Sequence, residues 1–256
     1  MRKSAIFLLF VAFCLTILGL SAQGGIAVSP QTARTKTEAE GKQKPEDSKQ
    51  RPVAKSKVYL LHSDLLRKDA THPDAQIVTG NVSFRHDSVY MYCDSACYYD
   101  KVSSFEAFGN VKMVQGDTLF LYGDRLYYDG LTQIAEMRCN VRMENRTTTL
   151  LTDSLNYDRV YNLGYFFDGG TLMDEQNVLT SEWGEYSPQT KQSVFNYNVK
   201  LVNPQFTLTS DTLRYNTASK VADIVGPSDI WSDANHIYSE KGTYNTVTGK
   251  ADLYDR

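Results

Sequence analysis

The residues of this sequence best placed for chemistry are acids that each precede a tyrosine by four positions. Successive acids are 30, 29, 29, 29 and 29 residues apart. The pairs are Asp94/Tyr98, Asp124/Tyr128, Asp153/Tyr157, Glu182/Tyr186, Asp211/Tyr215 and Glu240/Tyr244. Glycoside hydrolysis needs two carboxyl groups at a defined separation in one pocket. Six equivalent acids form a row with no unique pair, so we interpret the pairs as structural: the acids hydrogen-bonded near the strands and the tyrosines packed across neighbouring strands.

Other reactive side chains give no catalytic or metal-binding pattern. The four histidines lack the spacing of metal ligands, and no nucleophile elbow, phosphate loop or dinucleotide fingerprint occurs in a suitable context. Cys93 and Cys97 lie in one extended run, about 13 Å apart, which exceeds the roughly 7 Å that a disulfide spans. A disulfide between Cys139 and one of the other two cysteines is an alternative that the sequence allows. The sequence therefore predicts a protein that is not an enzyme and has no metal or cofactor.

The elements that carry the acids and tyrosines are short strands in a tandem repeat of about 29 residues. A Gly-Asn-Val-like triplet, such as Gly109-Asn110-Val111, opens a strand about fourteen residues before most of the acids. Val111 and Met113 alternate with Lys112, which predicts a sheet with one apolar and one wet face. We expect each acid, the residue two positions later and the tyrosine to share one face.

Such a one-sided ribbon must cover its apolar face. We predict an all-β fold in which an antiparallel sheet folds lengthwise into an elongated jelly roll with an apolar interior. Acyl chains gain about 0.8 kcal/mol per buried CH₂, so this interior suits an elongated amphipathic ligand. Unpaired strand edges at the ends would favour end-to-end stacking of copies.

The chain divides into three predicted segments. Residues 1–22 have Arg2 and Lys3 before an apolar run and small residues at its end, which is typical of a secretory signal peptide; an uncleaved membrane anchor is the alternative. Residues 23–55 are poor in large apolar side chains and are predicted to be a disordered linker. Residues 56–256 hold the repeats. Removing 1–22 leaves 27 − 2 = 25 basic against 30 acidic residues, or −5, which argues against nucleic acid as a partner.

The repeat resembles a known family. The unit G-N-V-x-[FM] followed by D-x-[LA]-x-Y, in an exported chain, looks like the OstA/LptA family, and the run AQIVTGNVSFRHDSVYMYCDSACYY resembles the OstA-like N-terminal domain common in Bacteroidetes-type bacteria. The resemblance covers residues 56–256. It implies a half-open β-jelly roll (a β-taco) in the periplasm, associated with the outer membrane in some members, that carries lipopolysaccharide between the membranes.

The family's ligand contacts are inward apolar side chains that hold lipid A. By alternation these are Val82, Phe84, Val111, Met113, Leu126, Val141, Met143, Leu155, Val199, Leu201 and Leu213. The implied partners are lipopolysaccharide and other jelly-roll transport proteins at the inner and outer membranes, joined by end-to-end strand pairing, with self-stacking of copies as a variant of that contact. The alternative function is a non-enzymatic scaffold of the cell envelope with the same fold and no lipid cargo.

Overall fold

The structure, a computed structural model, describes residues 56–69, 72–232 and 235–254. These residues belong to one compact unit, Lys49–Arg256. The predicted signal peptide (1–22) and linker (23–55) lie outside the described residues. No helix within the described ranges is long and apolar enough to span a membrane.

The chain is all-β, as predicted. Across the described residues, nineteen strands form one hydrogen-bonded antiparallel network, and the helical structure is a single 3₁₀ turn at Asp100–Val102. The strands are β1 (Tyr59–His62), β2 (Leu65–Asp69), β3 (His72–His86), β4 (Val89–Tyr99), β5 (Ser104–Gln115), β6 (Leu119–Asp129), β7 (Ile134–Asn145), β8 (Thr148–Asp158), β9 (Leu163–Phe166), β10 (Gly170–Asp174), β11 (Asn177–Ser181), β12 (Trp183–Tyr186), β13 (Gln192–Asn203), β14 (Phe206–Asn216), β15 (Val221–Ile224), β16 (Ser228–Ser232), β17 (Asn235–Ser239), β18 (Lys241–Asn245) and β19 (Ala251–Tyr254).

Each long strand bends near its middle at a β-bulge. The register between β5 and β6 shifts between Phe108 and Val111, where the Gly-Asn pair of the repeat lies. Gly109 and Asn110 have φ values of 74° and 44°, in the left-handed region that glycine and asparagine enter at the lowest cost. The Gly-Asn pair therefore builds a corner, and a bulge bends the strand there.

Two units replace the bend with a break in the strand. The degraded fourth unit separates β9 from β10 at residues 167–169, but β8 pairs with both pieces, so the sheet continues across the break. The Gly226-Pro227 step likewise separates β15 from β16, and β14 pairs with both. Proline cannot donate a ladder hydrogen bond, which accounts for an interruption at this position.

The corners fold the sheet into two arms that face each other. The first arm contains segments such as 104–108 and 125–129, and the second arm contains segments such as 111–115 and 119–123. Phe84 of the second arm stacks on Phe105 of the first, with ring centroids 4.2 Å apart. The apolar side chains of both arms form one core along the described length. The fold is the predicted elongated antiparallel β-jelly roll.

The prediction that each acid shares a face with the following residues was wrong. Leu126 and Tyr128 are buried in the core, whereas Asp124 is exposed. The reason is the bulge. Leu121 and Gly123 point inward before it, and Leu126 and Tyr128 point inward after it. Odd-numbered residues therefore face the core before the acid, and even-numbered residues face it afterwards. The acid therefore lies outside, at the corner.

Candidate functional site

The apolar interior contains every residue expected to line the groove. These eleven side chains are 0–2% exposed: Val82, Phe84, Val111, Met113, Leu126, Val141, Met143, Leu155, Val199, Leu201 and Leu213. They touch one another and neighbouring side chains, so the interior of this structure is filled by the protein itself. Met91 and Met137 line it as well and, with Met113 and Met143, give the described interior four methionines. Methionine is unbranched and adapts to different neighbours, so this core is built from side chains that can repack.

The repeated tyrosines are buried between the arms, with their hydroxyl groups at the edge opposite the corner. Tyr98, Tyr128, Tyr157, Tyr186, Tyr215 and Tyr244 are at most 9% exposed. The hydroxyl of Tyr98 donates to the carbonyl of Val58 at 2.7 Å, and that of Tyr215 donates to Oδ2 of Asp174 at 2.8 Å. Each contact joins the tip of one arm to the tip of the other. We call this row of side-chain contacts the seam.

The tyrosines contact polar residues of the second arm, which occupy equivalent positions in successive repeat units. They are His86, Gln115, Asn145 and Asp174, at intervals of 29, 30 and 29 residues. The hydroxyl of Tyr128 lies 2.7 Å from Nδ1 of His86, and Tyr186 donates to Asn145 at 3.4 Å. Burial raises the pKa of Tyr128 to about 12, so the hydroxyl stays protonated at neutral pH. Burial and the positive charge of Arg159 lower the pKa of His86, which favours the neutral imidazole.

Three cations complete the seam. Lys220 lies 2.8 Å from both carboxylate oxygens of Asp174 and 3.2 Å from Glu175. Burial acts to lower the pKa of Lys220, but the bonds to these two acids outweigh it and raise the pKa. Lys191 donates to Oδ1 of Asn145, and Arg159 donates to the hydroxyl of Tyr128. Each seam contact therefore involves a side chain, and within the described pairings no strand pair joins the tips of the two arms.

The acids of the repeat belong to the corner. The side-chain amide of the asparagine in each Gly-Asn-like pair donates to an acid sixteen or seventeen residues earlier: Asn81 to Asp64 at 3.0 Å, Asn110 to Asp94 at 2.8 Å, Asn140 to Asp124 at 2.6 Å and Asn198 to Glu182. Asp153 accepts the backbone N–H of Asn140 at 3.4 Å. A Cβ at Gly109 would clash with the carboxylate of Asp94, which explains glycine at that place. Asp211 is exposed and Glu240 half-buried. The acids that accept a bond from asparagine therefore stabilise the bend.

A model of the OstA-like protein family matches residues 55–211 of this chain. The chain belongs to the OstA-like family. A solved structure that is similar to it is that of LptH, described as the LptA homologous periplasmic component of the conserved lipopolysaccharide transport device from Pseudomonas aeruginosa. The two sequences are 7% identical, the match covers 78% of this chain and 94% of LptH, and the TM-score is 0.18, a likeness on which we base no argument. A search of curated proteins finds no match.

Both ends of this OstA-like sheet present strands with a free edge. Within the described pairings, β1 and β2 pair with β3 alone, β17 pairs with β16 alone, and β19 pairs with β18 alone. Exposed apolar side chains accompany these edges: Tyr59, Leu61, Leu65 and Leu66 at one end, and Ile237, Tyr238 and Tyr254 at the other. A cleft of about 820 Å³ lies at the corner of the second end, between Gly226-Pro227 and Glu240–Gly242. Free edges of this kind can accept another strand.

The cysteines of this OstA-like chain form no site in the described region. Cys93 is buried, Cys97 half-buried and Cys139 exposed, and none of the three is part of a disulfide. Burial raises the pKa of Cys93 to about 12, so its unreactive thiol packs as a small apolar side chain. Among the described residues, no group of three or more His, Cys, Asp or Glu side chains could hold a metal ion.

The seam does not follow from the repeat pattern of the sequence. The pattern predicts that the tyrosines pack across neighbouring strands and does not identify the partners of their hydroxyl groups. The signal was present in the spacing of His86, Gln115, Asn145 and Asp174, which keeps the period of the repeat although the residue type changes. Only the position recurs, so a search for repeated residue types does not find it.

Proposed function

We propose that this OstA-like chain is a periplasmic carrier or bridge protein of lipopolysaccharide transport, which holds the acyl chains of lipid A between its two arms. The observation that carries the proposal is the continuous apolar interior, closed on one edge by the bent strands and on the other by side-chain hydrogen bonds. The arms can separate along the seam without breaking a strand pair. The family match to residues 55–211 supports the same role.

The proposed carrier is exported by residues 1–22, tethered by residues 23–55 and built from the β-domain of residues 56–256. We propose that it is not an enzyme, which is supported by the corner position of Asp94, Asp124 and Glu182, each bonded to an asparagine side chain. The free edges of β1, β2, β17 and β19 support end-to-end pairing with other jelly-roll transport proteins at the inner and outer membranes, or with a second copy.

The test of lipid binding uses two matched variants on adjacent residues of β5. Met113 is buried in the interior, whereas Lys112 lies on the outer face beside Phe120 and Tyr122. We expect Met113→Asp to reduce the lipopolysaccharide retained by protein purified from the periplasm at least tenfold, and Lys112→Asp to leave it within twofold. Lipid is measured by mass spectrometry and folding by circular dichroism. Equal retention by both variants would contradict the proposal.

A second function is favoured by one observation. The eleven predicted groove residues are already buried against each other, as in a scaffold whose core needs no ligand. A scaffold of the cell envelope would purify without lipid and would not bind an apolar fluorescent probe such as N-phenylnaphthylamine. A carrier would retain lipid and release the probe when lipopolysaccharide is added.

A further inference from the structure

The outer face of the second arm carries a group of aromatic side chains. Tyr90 and Tyr92 of β4 point outward, because Met91 between them is buried in the core. They are 39% and 43% exposed, and side chains on one face of a strand are about 7 Å apart. Phe120 and Tyr122 occupy the same places on β6, 30 residues later. The two pairs of rings are therefore two strand spacings apart, roughly 10 Å.

The strand between the two pairs supplies a cation. Lys112 of β5 lies directly opposite both Tyr92 and Tyr122. Its Nζ is 5.5 Å from the ring centroid of Phe120 and 5.6 Å from that of Tyr122, within the range of cation–π attraction. Across the described ranges, no ion pair joins Lys112 to a carboxylate. The rings hold this charge in place, and it stays available to an anion.

Two arginines flank the rings. The guanidinium carbon of Arg142 lies 4.3 Å from the ring centroid of Tyr122, and Arg85 lies directly opposite Tyr90. Arg142 also pairs with Glu144. The outward strand positions of the second arm from β3 to β7 thus hold three cations and one acid, although the whole sequence has a net charge of −3. Charge complementarity favours an anionic partner for this face.

The repeat itself does not require these aromatic side chains. In the following units, Leu151, Thr180 and Thr209 stand at the position of Tyr92 and Tyr122. The later units pair into the same antiparallel sheet without rings at this position. The aromatic and basic side chains are therefore a feature of the first units and not a condition for forming the fold.

The two tyrosines of β4 are uncovered, unlike the rings of β6. Among the described contacts, no cation lies over the ring of Tyr90 or Tyr92, and neither hydroxyl has a hydrogen-bond partner. An uncovered tyrosine offers an apolar ring face and a hydroxyl group that donates and accepts. A sugar ring presents the matching groups, C–H on its face and hydroxyl at its edge. The roughly 10 Å between the β4 and β6 rings is on the order of the length of two linked sugar units.

The composition of this face favours a hydrated polymer over a membrane surface. Proteins that lie in a membrane interface bury large apolar side chains, typically Trp, Phe and Leu, beneath the headgroups. Here Phe120 is half-buried beside Lys112, and its cross-strand neighbour Val114 is half-buried as well. The groups most accessible to a partner are tyrosines and cations.

We propose that the outer face of the second arm binds an acidic polysaccharide, with Tyr90 and Tyr92 against its sugar rings and Lys112 and Arg142 against its carboxylates. Ammonium and guanidinium groups form charge-assisted hydrogen bonds with carboxylates, about twice as strong as neutral ones. The face lies on the opposite side of the sheet from the apolar interior, so this binding is independent of the lipid cargo.

The experiment measures binding of the protein purified from the periplasm to immobilised polygalacturonate by biolayer interferometry, with dextran as the neutral polymer. We expect saturable binding to polygalacturonate and none to dextran. Lys112→Asp should weaken binding at least tenfold, because it reverses the charge between the rings. Tyr92→Ala should weaken it about fivefold, and Tyr92→Phe, which keeps the ring, should bind more tightly than Tyr92→Ala. Circular dichroism checks the folding of each variant.

The matched control is Lys200→Asp. Lys200 is the exposed residue equivalent to Lys112 in a later unit, where Thr180 and Thr209 lie opposite it in place of tyrosines. This variant should bind polygalacturonate like the wild type. Absence of saturable binding by the wild type, wild-type affinity of Lys112→Asp, or equal weakening by Lys200→Asp would overturn the proposal. A Tyr92→Phe variant no tighter than Tyr92→Ala would overturn the contact between ring and sugar.

Three further measurements test the identity of the partner. Dextran binding as tightly as polygalacturonate would overturn the role of the cations, and dextran sulfate binding as tightly would overturn the assignment of a carboxylate polymer. Binding to vesicles of phosphatidylglycerol and phosphatidylcholine, without binding to polygalacturonate, would overturn the proposal in favour of a membrane surface. Lys112→Asp should lose polygalacturonate and keep its lipopolysaccharide, and loss of both would overturn the independence of this face from the interior.

Discussion

The ion pair between Lys220 and Asp174 is the seam contact that should contribute most to the free energy of unfolding. The side chain of Asp174 is 0% exposed and that of Lys220 is 13% exposed, with Nζ 2.8 Å from both carboxylate oxygens. Lys220→Met leaves the buried carboxylate with the hydroxyl of Tyr215 and without a cation. Removing one partner of a buried ion pair costs about 3–5 kcal/mol, because the remaining charge is buried and uncompensated. At about 2–4 °C per kcal/mol for a domain of this size, the melting temperature should fall by about 6–20 °C.

Asp174→Asn should be milder, because Lys220 keeps Glu175 at 3.2 Å and the asparagine can still accept from Tyr215. We expect a loss of about 1.5–3 kcal/mol, typical of a hydrogen bond to a charged group. The double variant removes both charges and should therefore be more stable than Lys220→Met alone. Urea unfolding followed by circular dichroism measures all three, with Lys200→Met, at an exposed position, as the control. A Lys220→Met variant within 1 kcal/mol of the wild type, or a double variant less stable than Lys220→Met, would refute the reasoning.

Two further predictions concern the corner and the pH dependence of the seam. Asn110→Ala should lower the free energy of unfolding by about 2–4 kcal/mol, because alanine must adopt a left-handed φ of 44° and the bond to Asp94 is lost. Asn110→Gly should recover the part of this loss that comes from the left-handed φ. A glycine variant no more stable than the alanine variant would contradict this prediction. The pKa of His86 is lower in the folded protein than its ordinary value of 6.5, so the unfolded chain binds the proton more readily and stability should fall as the pH drops from 7.5 to 5.5. His86→Gln should flatten that part of the unfolding free energy profile measured by urea titration, and an unchanged slope would count against the assignment.

The sequence predicted the repeat, the strands and the inward residues because all three depend on spacing. Gly109 and Asn110 signalled a bend, and the structure places them at a corner with positive φ. The position of the acids was predicted wrongly because simple alternation assumes a regular strand, and the bulge changes the inward phase by one residue at Asp124. The seam was missed for a different reason. Its tyrosine contacts between the arms join residues 40 or more positions apart, such as Tyr98 and Val58, and depend on how far each arm reaches past the core.

The two edges of the jelly roll differ in what it costs to open them. The corner is continuous backbone, with ladder hydrogen bonds on both sides of each bulge, so opening there would unfold strands. The seam consists of side-chain hydrogen bonds whose net worth is about 0.5–1.5 kcal/mol each, since both partners return to water when the tips part. A lipid chain of twelve buried CH₂ groups would gain about 10 kcal/mol before the cost of rearranging the core, which is comparable to several seam contacts together. Where the seam holds a buried ion pair, at Asp174 and Lys220, separation is most costly, and where it holds only amides, at Gln115 and Asn162, it is least. Separation of the arms should therefore begin at Gln115 and Asn162.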